Sequence, residues 1–431
     1  MTAAAWLGRW RPWRPWQTVA VGLLAALGLV VWAALWADNE ASVPAIAARI
    51  TATAVADSAT LARGAYLARL GNCAGCHTVR GGAAYAGGRG LATPFGTVYA
   101  GNLTPDPMTG LGRWSADDFW QALHHGRGRD GRHLLPAFPY PALTLVRRHD
   151  ADALFAYLRS LAPVAQANTA HELRFPYNTQ AALAIWRWLY FRPGALADDP
   201  SRSPEWNRGA YLVRGLGHCG ACHAPRNLLG AGGSDLSGSL MPDGRWYAPA
   251  LVPTLAPQAQ QAAQAQARVE LLQTGQSARG NALGPMAEVV YRSTQFWERA
   301  DLRAAVAYLG SLAPVAAPPA AAPAPAEATA RGARLYTDHC ADCHGDQGLG
   351  VPGVYPALAG SVTVSQPLPL NLVQATQHGG FAPATAANPR PYGMPPQMLS
   401  DAELADVLSF VRQSWGHRAS ALSALDVMHL R

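Results

Sequence analysis

Six cysteines occur in the chain, Cys73, Cys76, Cys219, Cys222, Cys340 and Cys343, and all belong to C-x-x-C-H blocks closed by His77, His223 and His344. Composition alone would produce about 0.003 such blocks in a chain of this make-up, so three of them form a pattern rather than a coincidence. On one helical turn a Cys, the Cys three residues on and the His after it project to the same side. Two sulfurs so placed can form thioethers with the two vinyl groups of one haem while the imidazole reaches the iron, which is c-type haem attachment. Disulfides and thioredoxin-type redox pairs require no His after each pair. Zinc sites usually bring two pairs within about 20 residues, whereas these stand 146 residues (73 to 219) and 121 residues (219 to 340) apart. Three covalently bound haem c groups are therefore expected, one per block, with His77, His223 and His344 as iron ligands.

The group on the opposite face of each iron decides between electron transfer, gas binding and peroxide chemistry, and a Met thioether both closes the iron and raises its potential. Two of the seven methionines stand on Gly/Pro segments before a helical pattern: Met286 in Gly284-Pro285-Met286-Ala287 and Met394 in Tyr392-Gly393-Met394-Pro395-Pro396. Both are candidate metal ligands. The matching segment near the first block reads Leu135-Pro136-Ala137-Phe138-Pro139-Tyr140, where a phenyl ring cannot coordinate. Either Met108, His124, His125 or His133 reaches that iron, or the first haem is five-coordinate.

Helical elements must position these groups, and they recur. Arg63-Gly64-Ala65-Tyr66-Leu67, Arg208-Gly209-Ala210-Tyr211-Leu212 and Arg331-Gly332-Ala333-Arg334-Leu335 precede the three blocks, each Gly 9, 10 or 8 residues before its first Cys. A Gly on an apolar-periodic helix costs stability, so its recurrence predicts close approach of another helix. The partner carries Tyr157-Leu158, Tyr308-Leu309 or Phe410-Val411 near the end of each repeat, and Pro163 and Pro314 stop the first two. Ser400 and Glu403 have capping-box spacing and start the third. The predicted fold class is mainly α: three tandem class I cytochrome c domains over residues 58–165, 205–315 and 329–417, with an N-terminal transmembrane helix. Residues 166–204 form an aromatic helical connector that either packs on its own domains or offers a surface to another subunit or the membrane. Residues 316–328 form an Ala/Pro linker and 418–431 a C-terminal tail.

Thr18 to Ala37 is a run of twenty uncharged positions, behind Arg9, Arg11 and Arg14 and ahead of Asp38 and Glu40. That length spans about 30 Å of hydrocarbon, and the Arg side belongs in the cytoplasm. Residues 1–40 are expected to be a retained anchor, with a cleaved signal peptide as the rival. The haem domains would then face the periplasm from the cytoplasmic membrane. The 431 residues are 49% hydrophobic and 14% charged, which excludes a disordered chain. No basic stretch is interleaved with aromatics, so nucleic acid is not an expected partner. The net charge is +7, and the positive residues are all Arg. Arg127, Arg129 and Arg132 could meet an acidic partner or the carboxylates of a cofactor, or simply form a solvated face.

Beyond the haem blocks, the segments Gly101-Asn102-Leu103-Thr104-Pro105-Asp106-Pro107, Gly110-Leu111-Gly112-Arg113-Trp114-Ser115, Gly131-Arg132-His133-Leu134, Gly284-Pro285-Met286-Ala287-Glu288-Val289-Val290 and Ser414-Trp415-Gly416 stand out. With these the chain resembles, over residues 58–417, the triple-haem cytochrome c subunits of bacterial membrane-bound periplasmic dehydrogenases for alcohols, gluconate and aldehydes, with relatives serving molybdenum hydroxylases of N-heterocycles. The resemblance implies a large catalytic subunit of molybdopterin, quinone-cofactor or flavin type, with or without a small third subunit, and ubiquinone as acceptor. It makes His77, His223 and His344 the proximal ligands and Met286 and Met394 the distal ones; Phe138 departs from the Met of the alcohol-oxidising members. The uncleaved anchor leans toward the aldehyde or N-heterocycle branch. The chain is thus expected to be an electron-transfer subunit rather than the catalyst. The alternatives are a multihaem peroxidase-like enzyme or small-molecule reductase working at an open first haem, and a haem subunit feeding a terminal oxidase.

Overall fold

Each C-x-x-C-H block sits at the end of a helix that is crossed by another helix from the far end of the same repeat. In the computed structural model, which describes residues 56–253, 258–314 and 320–431 and scattered helical positions between 16 and 32, these pairs are Ser58–Leu70 with Arg148–Arg159, Pro204–Ala210 with Arg299–Gly310, and Ala326–His339 with Asp401–Gln413. Their starts are fixed locally. The Asp57 side chain accepts from Thr60 N at 2.7 Å, Ser203 Oγ from Trp206 N at 3.1 Å, and Ser400 and Glu403 form the expected reciprocal box.

The three glycines lie at the crossings, as their recurrence predicts. A Cβ on Gly64 would strike the backbone carbonyl of Ala153 and come within 2.7 Å of Tyr157 Cβ. On Gly209 it would strike the Ala304 carbonyl and lie 2.8 Å from Tyr308 Cβ; on Gly332, the Asp406 carbonyl and 2.9 Å from Phe410 Cβ. The aromatic of each closing helix thus lies against the glycine of the opening one. The Arg before each Gly is tied to the same partner helix: Arg63 Nε donates to Asp150 Oδ1 at 2.8 Å, Arg208 Nε to Asp301 Oδ1 at 2.8 Å, and Arg331 Nε to Asp406 Oδ2 at 2.6 Å.

The stretch from Gly to the first Cys differs in length, and the backbone absorbs the difference. In the first repeat the helix ends and Asn72 turns with φ 49° before Cys73. The second repeat has one residue more, which is taken up by a π-helical turn at Tyr211–Leu216, with Gly217 N bonded to Leu212 O at 2.7 Å, followed by His218 at φ 37°. The third has one residue fewer, and its helix runs straight to His339 beside Cys340.

The first two repeats are joined reciprocally. Tyr211 of the second donates its hydroxyl to Asp150 Oδ2 of the first at 2.6 Å, and Tyr66 of the first donates to Asp301 Oδ2 of the second at 2.8 Å. Each Asp therefore serves an Arg of its own repeat and a Tyr of the other, as in an isologous dimer contact. One apolar core runs through both repeats and contains Leu67, Leu158, Leu212, Leu302 and Trp297. The third repeat has its own core around Tyr336, Val373, Leu404 and Leu408. Arg334 stands where the other repeats have the bridging Tyr. The third repeat meets the second through Asn371, whose Oδ1 accepts from Tyr247 N at 2.8 Å while its Nδ2 donates to Tyr247 O at 2.7 Å.

Strands are few and short: a hairpin Gly90–Thr93 with Gly96–Tyr99, extended by Glu172–Leu173, and three two-residue pairs. The mainly α class holds. The chain divides into two compact units, Val55–Arg174 with Pro193–Arg431, and Met1–Ala54 with Phe175–Arg192. In the second of these the connector forms a helix at Gln180–Tyr190, begun by Thr179 and leaving Trp188 and Leu189 exposed. The span expected over Thr18–Ala37 lies largely outside the described residues. Among those described, no helix is long and apolar enough to cross a membrane.

Two stretches are more ordered than composition suggests. Of the expected linker over 316–328, residues 316–319 lie outside the described residues, while Ala321 N donates to Arg418 O and Ala324 N to Gln413 Oε1, and a helix has begun by Ala326. The tail packs onto the third repeat through the helix Ala424–His429, with Val427 fully buried. Arg412, also fully buried, holds it: Nε donates to Ser420 O at 2.8 Å, and Nη1 to Val364 O and Gln366 O at 2.9 Å.

Gly332→Ala should destabilise the third repeat by about 1–3 kcal/mol, the usual cost of forcing atoms into a packed contact, measured by urea denaturation. Gly310→Ala, on a helix with nothing near its Cβ position, should instead be neutral or stabilising by about 0.5 kcal/mol. Equal effects at the two sites would contradict the close-contact role.

Candidate functional site: three histidine-bearing attachment turns

Every C-x-x-C-H block contains a single helical turn, Cys73–Cys76, Gly220–His223 and Ala341–His344, capped by His77 in the first and by Cys219 and Cys340 in the others. This brings the two sulfurs and the imidazole of each block together, as the spacing requires. The sulfurs form no disulfides. Burial pushes Cys73 and Cys219 up to about 12 and Cys340 up to about 11, and raises Cys76 and Cys222 as well. Among the described residues no cluster of three or more His, Cys, Asp or Glu is set to hold a bare metal ion.

The imidazoles are oriented by a contact that local sequence reasoning missed. Nδ1 of His77 donates to Gly101 O at 2.7 Å, that of His223 to Pro249 O at 2.6 Å, and that of His344 to Pro356 O at 2.9 Å. With the proton fixed on Nδ1, the Nε2 lone pair of each ring is presented for a metal. Burial holds all three below the ordinary His range, only partly offset by the carbonyl contact, so each ring is a neutral ligand at neutral pH. The His backbone is anchored too: the carbonyls of His77, His223 and His344 accept from Gly87 N, Gly238 N and Gly350 N at 2.8, 2.9 and 2.8 Å. These glycines have φ of 81°, 95° and 62°, the left-handed region where other residues are strained. A repeat does mark the loops: the accepting residue stands two before a Leu in Tyr99-Ala100-Gly101-Asn102-Leu103, Tyr247-Ala248-Pro249-Ala250-Leu251 and Tyr355-Pro356-Ala357-Leu358.

The candidate distal residues sit in different settings. Met286 is in the first turn of the helix Gly284–Arg292. Met394 is on a two-residue strand paired with Gly380–Phe381, with Gly380 opposite it. Phe138 packs, partly buried, against the core shared by the first two repeats. Of the alternatives for the first site, Met108 is 74% exposed, its sulfur accepting from Arg113 Nη2 at 3.1 Å, and is turned away from any buried site. His124 stacks on Trp120 at 4.3 Å between ring centroids, with His125 edge-on to it; His133 pairs across a bridge to Arg127. Arg129 faces Asp118 at 3.6 Å, and Arg127 reaches its own loop at Gly131 O.

Buried charge tests whether these sites suit a dianionic haem. Beside the second turn, Arg268 donates to the carbonyls of Leu251 and Val252, the loop that continues from Pro249. Burial and the like charge of Arg279 hold it below the usual Arg range. The Nε of Arg279 is buried with no hydrogen-bond partner among the described residues. One half-buried guanidinium bonded to carbonyls beside another whose buried Nε has no partner among the described residues suits a carboxylate-bearing ligand, and the propionates of a haem would complete the pair.

Paired cysteines on one turn, a neutral His presented through Nε2 and cationic surroundings define a c-type cytochrome. The cytochrome c family model matches residues 61–162 and 329–415. The chain is 42% identical to a nicotinate dehydrogenase subunit of Pseudomonas putida over 92% of its own length and 33% of that protein. It is 38% identical to the cytochrome c subunit of the quinone alcohol dehydrogenase of Gluconacetobacter polyoxogenes, over 87% of this chain and 85% of that one. Against the gluconate 2-dehydrogenase cytochrome c subunit of Pantoea cypripedii the identity is 38%, over 87% and 90%. The chain belongs to the cytochrome c family, within the group of dehydrogenase cytochrome c subunits, and as such it carries covalent haem c. It spans only a third of the length of the nicotinate dehydrogenase protein.

Met286→Ala and Met394→Ala should each lower the potential of one haem component by on the order of 0.1 V. A redox titration of the purified chain reads this directly; an unmoved component rules out that methionine as a ligand.

Proposed function

We propose that this chain is the electron-transfer subunit of a membrane-bound dehydrogenase complex, carrying three haem c groups on three cytochrome c domains, at residues 58–165, 205–315 and 329–417. It takes electrons from a separate catalytic subunit, delivering them to ubiquinone. The observation that carries the reading is the threefold His geometry, in which each ring is neutral and held through Nδ1 by a backbone carbonyl, leaving its Nε2 free for a metal.

Bound haem supplies reversible one-electron chemistry; the chain supplies everything that directs it. Cys73 and Cys76, Cys219 and Cys222, and Cys340 and Cys343 make the covalent attachments. His77, His223 and His344 would hold the three irons, and Met286 and Met394 would supply the second protein ligand at the second and third sites. Phe138 gives the first site no sixth ligand from the matching position. Arg268 and Arg279 neutralise propionates at the second site. The buried cores exclude water, which lowers the reorganisation each transfer demands.

Membrane attachment rests on the uncharged run Thr18–Ala37 with Arg9, Arg11 and Arg14 on one flank. The described positions of that run are helical and exposed, with Val19 at 61%, Leu23 at 67% and Trp32 at 60%. The apolar, exposed face of Gln180–Tyr190 suits the same interface. The relatives' names point to oxidation of an N-heterocycle, an alcohol or a sugar acid, and the cofactor of the catalytic partner would identify which.

Purification from membranes in mild detergent should bring down a large partner protein that carries molybdopterin, a quinone cofactor or flavin, identified by mass spectrometry. Carbon monoxide should bind the reduced chain at one haem at most, and Phe138→Met should abolish that binding. A chain that purifies alone and turns over peroxide at an open haem would refute the electron-transfer reading.

A further inference from the structure

The carboxylate of Glu288 stands two residues past Met286, and its partners come from two repeats. From the first repeat Arg89 grips it with two prongs, Nη2 to Oε2 at 2.7 Å and Nη1 to Oε1. Arg292, one turn along the same helix, adds Nε to Oε1 at 3.0 Å. The same Nη1 of Arg89 donates to the backbone carbonyl of Gly75 at 2.5 Å, inside the turn that bears Cys73 and Cys76. The helix Gly284–Arg292 packs against that turn. One guanidinium therefore touches both the first attachment turn and the helix carrying the second site's candidate distal ligand.

The surrounding contacts are continuous with this bridge. A Cβ on Gly71 would meet Leu216 of the second repeat at 3.3 Å, and Arg69 lies over the Phe296 ring at 4.8 Å. Among the groups that bear on the Cys76 thiol, after burial and Arg89, are Glu288 and Cys222 of the second attachment turn. Arg89 and Glu288 are each 34% exposed, and an ion pair so accessible contributes little to stability. Its bidentate geometry fixes position instead.

We propose that Arg89, Glu288 and Arg292 form a positioning clamp for electron exchange between the first and second haem, fastening the first attachment turn to the Met286 helix. The inference rests on the electron-transfer reading and adds residues to it. In the step served, one iron loses an electron and the other gains it, with no bond made or broken and no proton moved. The rate falls steeply with separation, so holding the first attachment turn against the Met286 helix by an inflexible two-pronged contact keeps it high.

The test uses the full chain in detergent, with Arg89→Gln, Arg89→Lys and Glu288→Gln variants. Electrons are injected by flash photoreduction, and their redistribution between the two haems is followed together with haem content, melting temperature and the potential of each haem. Removing the Arg charge and removing the Glu charge should shift nearby potentials in opposite directions. A lost clamp should slow exchange in both, by about tenfold or more, with Arg89→Lys in between and melting temperature and haem content unchanged. Exchange at the original rate in both Gln variants, or rates that merely follow the opposite potential shifts, would overturn the clamp. If the unmodified chain shows no exchange between the first two haems, the electron-transfer reading fails and the clamp with it.

Discussion

Each repeat depends on two helices meeting so closely that no side chain fits between them. Gly64, Gly209 and Gly332 let a backbone carbonyl of the partner helix occupy the space where a Cβ would be. That contact sets the end of the opening helix relative to the closing one, and hence where the attachment turn begins. The backbone downstream is free to differ: a left-handed residue in the first repeat, a π-turn in the second and an unbroken helix in the third all deliver the first Cys after 9, 10 or 8 residues. The crossing is held constant while the spacer drifts, which is what is expected when the crossing carries the packing energy and the spacer only has to reach.

A second layer of constraint joins the first two repeats and spares the third. Asp150 and Asp301 are nearly inaccessible, and a buried carboxylate is tolerable only when paired and hydrogen-bonded. Each receives an Arg from its own repeat and a Tyr from the other, so each repeat pairs the charge of its Asp itself and takes a further hydrogen bond to it from its neighbour. Asp406 is more accessible and needs only Arg331, and Arg334 replaces the bridging Tyr. The third repeat instead closes its own surface with the C-terminal helix, through Arg412 and Val427.

What could be read from the sequence follows the range of the interactions. The attachment turns, the crossing glycines and the Ser400 to Glu403 box are signalled within a few residues, and local chemistry specifies them. The π-turn was implicit in the single extra residue between Gly209 and Cys219, but only a structure shows where the chain absorbs it. The carbonyls that orient the histidines lie 24, 26 and 12 residues away, and the signal for them is a main-chain atom with no residue type of its own. Arg89 and Glu288 are 199 residues apart, beyond any pattern in one sequence. The tail and the second half of the Ala/Pro stretch were underestimated because their order comes from buried polar contacts to Arg412 and Gln413, not from their own apolar content.

The charges left over show how three similar turns can differ electrically. The haem-free chain is at +7, and much of its Arg is committed: Arg63, Arg208 and Arg331 to the crossing carboxylates, Arg89 and Arg292 to Glu288, Arg148 to Asp117 and Asp152. Arg412 is buried against neutral oxygens far along the third repeat and serves the tail; loss of solvent brings it down to about 10. Arg268 and Arg279 are half-buried beside a histidine loop, Arg268 bonded to its carbonyls. A cation beside an iron favours its reduced form, and a thioether ligand does the same. On the proposed ligand assignment, Met286 beside that Arg pair, Met394 in the third repeat and Phe138 in place of a ligand in the first would order the three sites, the first the easiest to oxidise and the second the hardest.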